Sequence, residues 1–204
     1  IIITICNIKY NIQLGVDIIF KISQKKSTLI VAAASQLLIQ LIANMTVIAL
    51  PDIAIELNFS AEALLWVNII YMMSFVAFSL PFAKIISQYG VKKSTKISLL
   101  LLFFSILISV SSINDIMFLL SRLMQGFSAA ILAISLYVII IEEFEDSEIG
   151  SALGIVSSTG YVGLLIAPVI MGLAIVVLDW KWAFIKVLPI IAILLIVLNR
   201  IDTT

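Results

Sequence analysis

One arginine, Arg122, stands inside a long apolar run, and three amides, Gln36, Gln40 and Asn44, recur at i, i+4 and i+8 inside another. These groups carry most of the chemistry that the chain can offer. A guanidinium placed within a membrane is costly and marks a functional site by default. The alternative is a long side chain that snorkels its charge to the nearby outer surface. The three amides fall on one face of a helix. They either bond neighbouring helices, at about 0.6 kcal/mol per bond, or line a pathway and bond a passing solute. Asn68, Tyr71, Ser74 and Ser79 offer the same choice in the next apolar run. Lys186, near the start of the last run, reads as a snorkelling side chain.

Much chemistry is missing. The chain has no histidine and a single cysteine, Cys6, which removes the commonest metal ligand, the usual base and any internal disulfide. No apolar run pairs a nucleophile with a base. The acidic segment Glu142–Glu148 lacks the glycine of a calcium loop and reads as solvated. Neither an enzyme nor a metal or cofactor site is expected. No aspartate or glutamate lies inside the apolar runs, so any proton site is elsewhere or coupling is not to protons.

The elements that position these groups follow from composition. The chain is 63% hydrophobic and 12% charged, with mean hydropathy +1.25, against about 25% charged residues in a soluble domain. Six stretches reach the roughly 20 apolar residues of a membrane span: Leu29–Leu50, Ala63–Ala83, Ser94–Ser112, Ile116–Ile141, Gly150–Val177 and Trp182–Asn199. The expected fold is an all-α polytopic membrane protein, with residues 28–204 as one six-helix bundle. Residues 1–27, broken by Asn7, Lys9, Asn11, Gln13, Asp17 and Lys21, read as a cytoplasmic or interfacial leader. Ile1 is not methionine and the first methionine is Met45, which suggests a fragment or an unusual start codon. A net charge of zero predicts no nucleic-acid partner.

Lysine bias sets orientation. Lys9, Lys21, Lys25 and Lys26 precede the first span, and Lys84, Lys92, Lys93 and Lys96 follow the second. Both termini are therefore expected in the cytoplasm, with Trp66, Trp180 and Trp182 in an outer aromatic belt. The acidic run Glu142–Glu148 falls on the cytoplasmic side without a neighbouring lysine, but acidic residues weigh little in this rule.

The fifth span reads Gly154-x8-Gly163-x3-Ala167-Pro168-x2-Met171-Gly172. Glycine and proline are poor helix formers, and in a bilayer small residues serve close packing. Gly154 and Gly172 share one face, with Gly160, Gly163 and Ala167 on the opposite one. Two smooth faces predict a helix wedged between two partners, bent where Pro168 removes the bond to the Leu164 carbonyl.

Together these motifs resemble the major facilitator superfamily, in its fourteen-helix drug/proton antiporter branch. The resemblance covers about Leu29 to Asn199, the first six helices. Ala49-Leu50-Pro51 resembles the end of the first helix, and Trp66 and Tyr71 match W-(x)4-Y in the second. Arg122, Gln125 and Gly126 match R-x-x-Q-G in the fourth, and the glycine ladder resembles the antiporter motif G-x8-G-x3-G-P-x2-G-G of the fifth. Trp180-Lys181-Trp182-Ala183-Phe184 with Pro189 resembles W-R-W-x-F…P of the sixth. In the loop signature G-x-L-A-D-R-x-G-R-K, Gly90, Lys92 and Lys93 remain, while Ser87 and Gln88 replace the acid and arginine. Ile42, Ala167, Met171 and Ile149 are further departures. Methionine at 171 would push a neighbour away unless that face meets lipid.

The resemblance implies two six-helix bundles, each with 3+3 inverted repeats, and a solute site between them near mid-membrane. Gln36, Gln40, Asn44, Asn68 and Tyr71 would line the pathway. Arg122, Gln125 and Gly126, with Gly90, Lys92 and Lys93, would serve coupling or gating. Gly154, Gly163, Ala167, Pro168 and Gly172 would let the fifth helix slide. The implied partners are the lipid bilayer, a small hydrophobic or drug-like solute, and a second bundle of six to eight helices. The other reading is a degraded or accessory bundle that no longer transports, in keeping with the altered loop and the missing carboxylate.

Overall fold

The computed structural model describes the backbone of residues 2–177 and 179–200, and the side chains of residues 24–199 except 87 and 178. The side chains of the leader up to Ser23 and that of Ser87 in the loop signature lie outside the described residues. The described chain is helical: α1 (Ile2–Glu56), α2 (Ala61–Tyr89), α3 (Val91–Val110), α4 (Asp115–Glu143), α5 (Asp146–Val177), α6 (Trp180–Ile185) and α7 (Leu188–Arg200). There is no strand among the described residues. Six segments are long and apolar enough to cross a membrane, with α6 and α7 forming one of them around a break at Lys186–Val187. The leader and the first span share the single helix α1.

Local chemistry sets the boundaries. Ser60 Oγ accepts from the Ala63 N–H at 3.1 Å and caps α2, and Asn114 Oδ1 accepts from the Met117 N–H at 2.8 Å and caps α4. Gly90, at φ 85°, turns the chain from α2 into α3 with no intervening loop, a conformation that L side chains rarely adopt. Pro168 is accommodated within α5, which continues to Val177.

The most enclosed helix is α4, packed against α2, α3 and α1. Its α3 face is a serine seam. Ser94, Ser98, Ser105 and Ser109 on α3 and Ser121, Ser128 and Ser135 on α4 are all buried. Several turn their hydroxyls back onto their own helix, as Ser98 does to the Thr95 carbonyl and Ser121 to the Phe118 carbonyl. Such back-bonding satisfies the hydroxyl and lets the helices approach closely.

The other main seam joins α1 to α5. One stripe of α5 is buried there: Ala152, Val156, Gly160, Gly163, Ala167 and Met171. A Cβ at Gly163 would meet the Leu37 carbonyl at 2.8 Å. By contrast, a Cβ at Gly154 or Gly172 would meet nothing within 4 Å. Only one of the two smooth faces has a neighbour among the described residues. Met171 is fully buried, so its face does not meet lipid. It fills the seam beside Ala167 because an unbranched side chain adapts to irregular gaps.

The membrane-spanning part of α1, Gln24–Glu56, is tied at both ends. Lys25 Nζ contacts Glu148 Oε2 at 2.5 Å and Glu145 Oε1 at 3.7 Å. The acidic segment thus receives its cation from a distant part of the chain. At the opposite end Glu56 pairs with Lys181 and accepts from the Trp180 indole at 2.7 Å. Trp180 is consequently 1% exposed and stacked edge-on with Phe118 and Phe184, not part of an aromatic belt. Trp66 and Trp182 are half exposed.

Candidate functional site

Arg122 is 1% exposed and does not snorkel. Its Nη1 donates to Gln125 Oε1 at 2.6 Å and to Thr46 Oγ1 at 3.0 Å, and its Nε donates to the Val67 carbonyl at 3.4 Å. The guanidinium carbon lies 4.4 Å from the centre of the Tyr71 ring. These partners come from α1, α2 and α4, and all are neutral. Hydrogen bonds to a charged group contribute about 1.5–3 kcal/mol each, and a desolvated cation–π contact about 2. The two shorter bonds alone are comparable to the insertion cost of about 2.5–3.5 kcal/mol for a central arginine. The charge is therefore held without a carboxylate partner among the described residues.

Gly126, one turn further along α4, permits this arrangement. A Cβ there would fall on the Tyr71 carbonyl oxygen and within 2.9 Å of Ser74 Cβ. Ser74 Oγ donates to the Leu123 carbonyl at 2.9 Å and locks the same approach. Only a residue without a side chain lets α2 come near enough for the Tyr71 ring to cover Arg122. Gln125 occupies the position between them, accepting from Arg122 while its Nε2 has no partner among the described residues.

A cavity of about 400 Å³ opens beside this cage. Its walls include Gln40 and Asn44 of α1, Asn68 and Tyr71 of α2, and Arg122 of α4. The remaining surface is apolar, with Met72, Phe75 and Leu164 among its residues. Asn44 Nδ2 donates to the Gln40 carbonyl at 2.7 Å, which fixes the amide against its own helix. Four of the five amide and phenol positions read from the sequence thus meet in one space. Gln36 does not border it. Its side chain covers Gly160 of α5, 3.1 Å from where a Cβ would stand.

A guanidinium has five N–H donors. Among the described residues Nη1 uses two and Nε one, leaving the pair on Nη2, in a residue that forms part of the cavity wall. The space can therefore hold an apolar molecule and orient it with a few polar groups, the usual composition of a small-molecule site. The Val67 carbonyl, Met72 and Phe75 were not distinguished by the sequence. Thr46 had one usable signal, since it stands just beyond the amide stripe.

Gly90, Lys92 and Lys93 lie at the other end of the bundle, around a separate cavity. Lys186 is exposed at the end of α6, beside Trp182 and Leu173. No group of three or more histidine, cysteine, aspartate or glutamate side chains that could hold a metal occurs among the described residues.

Six apolar spans around one caged charge and a half-open cavity define a polytopic helical membrane protein. The chain belongs to the Major Facilitator Superfamily, whose family model matches residues 32–203. It is 29% identical over 170 residues to the uncharacterized transporter YebQ of Escherichia coli, covering 82% of this chain and 36% of that protein. It is 26% identical over 150 residues to the MFS-type transporter ppz2 of Metarhizium majus, covering 74% of this chain and 26% of that one. The MFS-type transporter sphD of Aspergillus fumigatus is 25% identical over a stretch of the same length and coverage. The chain therefore spans about a quarter to a third of the length of these relatives.

Proposed function

We propose that this bundle is the amino-terminal half of a transporter that moves small hydrophobic, drug-like solutes by alternating access. The observation that carries the reading is the cavity of about 400 Å³ in which Gln40, Asn44, Asn68, Tyr71 and Arg122 meet among apolar side chains. It is bordered by α1 and α2 and by Leu164 of α5, and α2 and α5 are also the helices with the most exposed apolar surface. A second bundle of six to eight helices, laid against those helices, would close the space into a site between two halves. The length of the relatives and their naming as transporters support this reading.

In this reading the protein lies in the cytoplasmic membrane with both termini in the cytoplasm. The glycine ladder and the Arg122-x-x-Gln125-Gly126 run favour the drug/proton antiporter branch. Because the six spans hold no carboxylate, proton coupling in such an antiporter would draw its titrating group from the second bundle. The test is accumulation of a fluorescent hydrophobic drug in cells making this chain together with the second bundle. Wild-type cells are expected to hold less dye than cells carrying Arg122→Ala. Equal dye in wild-type, variant and empty cells would overturn the proposal.

A second reading is an accessory bundle that does not transport. Ser87 and Gln88 at the loop positions of the acid and arginine favour it. An adjoining reading frame that encodes no further helices, with stable membrane expression of this chain, would support it over the first.

A further inference from the structure

The cage around Arg122 is closed on one side only. Its Nε and Nη1 donate to the Val67 carbonyl, Thr46 and Gln125, and none of these three residues borders the cavity of about 400 Å³. Arg122 itself does border it, although only 1% of its surface is exposed. Its Nη2 has no acceptor among the described residues, yet it is not fully enclosed, which leaves the cavity as the space it meets.

The groups around that space are one-sided. Arg122 is the one charged residue in the wall, which holds no carboxylate. Every group that accepts from the guanidinium is neutral, so it has hydrogen bonds but no counter-charge among the described residues. Asn68, in the same wall, makes no side-chain hydrogen bond among the described residues, so both of its amide hydrogens are available. Away from water, a cation attracts an anion and repels a second cation far more strongly than in solution.

We propose that the solute is a hydrophobic anion, a compact apolar body carrying one carboxylate. The carboxylate accepts from Arg122 Nη2 and from the Asn68 amide, and the apolar body lies against Met72, Phe75 and Leu164. As a statement about cargo this rests on the transport reading above, whereas the binding preference rests on the cavity. A lipophilic amine of the same size is repelled by the guanidinium, and a neutral molecule forfeits the charge-assisted bond.

The test measures binding of radiolabelled probes of one shape, naphthoate, naphthamide and naphthylmethylammonium, to the full chain in nanodiscs of neutral lipid. Naphthoate is expected to bind saturably, with naphthamide about tenfold weaker and the ammonium weaker still. Arg122→Gln weakens naphthoate by about tenfold or more and removes its advantage over naphthamide. Gln125→Glu sets a carboxylate where Nη1 now donates, supplies the counter-charge internally and removes the same advantage. Asn68→Leu weakens naphthoate by about fivefold. Lys186→Gln, in the wall of a different cavity, changes nothing. Thermal unfolding followed by tryptophan fluorescence verifies each variant, and if Arg122→Gln does not fold, Gln125→Glu and Asn68→Leu decide. Absence of saturable naphthoate binding, equal affinity for the three probes, a preference that survives Gln125→Glu, or an equal loss in Lys186→Gln would each overturn the proposal. Selective naphthoate binding by a chain that gives no dye efflux with its second bundle would support the ligand class and overturn the transport reading alone.

Discussion

At the α2–α4 seam Gly126 lies under the Tyr71 carbonyl, and at the α1–α5 seam Gly163 lies under the Leu37 carbonyl. Each seam adds a hydroxyl that bonds across it, Ser74 to the Leu123 carbonyl and Thr159 to the Ala33 carbonyl at 3.0 Å. The construction is the same, but the result differs. Close approach of α2 to α4 covers a buried guanidinium with a ring and a carbonyl. Close approach of α1 to α5 carries no charge, and it directs Gln36 over Gly160 while Gln40 remains at the cavity wall. A glycine contact is therefore a means of setting distance, and its value depends on what stands one turn away.

A graded series of substitutions can break or sharpen that comparison. The largest effect is expected from Gly126→Ala, whose Cβ meets backbone that cannot yield. Overpacking of this kind costs up to about 3 kcal/mol, to be read as a lower midpoint in thermal unfolding followed by tryptophan fluorescence. Gly163→Ala should cost about 1–2 kcal/mol in the same measurement, because its Cβ would meet the Leu37 carbonyl at 2.8 Å and the Gln40 Cβ at 3.1 Å, looser than the approach to the Tyr71 carbonyl at Gly126. If Gly163→Ala proved the more damaging, the α1–α5 seam would be the tighter one.

Arg122→Met separates the two roles of the α2–α4 seam. The substitution removes a costly buried charge but leaves the buried Gln125 Oε1 without its donor, so the unfolding midpoint should fall by only about 1 kcal/mol equivalent while the proposed dye efflux is lost. A collapse in stability would make Arg122 a structural staple instead. Gly160→Ala should cost about 0.5 kcal/mol, since its Cβ meets only the movable Gln36 side chain. Gly154→Ala, facing open space, should be neutral or stabilise by less than about 1 kcal/mol. In the proposed assembly with a second bundle, the same change would test whether that face is covered, through a loss of efflux with no loss of bundle stability.

The spans and the buried arginine were legible because hydropathy and the rarity of charge in apolar runs are local signals. Partners were less so. Gln36, Gln40 and Asn44 share a helical face, but that face is divided between α5 and the cavity, a division set by where Gly160 and Gly163 rest. Trp180 looked interfacial from its position, yet Glu56, 124 residues away in sequence, draws its indole inward. The acidic run appeared unbalanced because its cation, Lys25, lies 123 residues before Glu148. The serine seam between α3 and α4 escaped notice because serine at helical spacing has no strong hydropathy signature. In each case the missing information was the identity of the neighbouring helix.

The neutral cage of Arg122 also bears on biogenesis. Thr46 and Val67 belong to helices translated before α4, and Gln125 emerges within a turn of the arginine itself. As chains fold from the amino terminus during synthesis, the acceptors are already in the membrane when the charge arrives. No later segment is required to shelter it. A chain ordered the other way would leave an unpaired guanidinium in lipid for the time it takes to synthesise two spans. The acceptors of the arginine thus all precede it in the chain or lie within one turn of it.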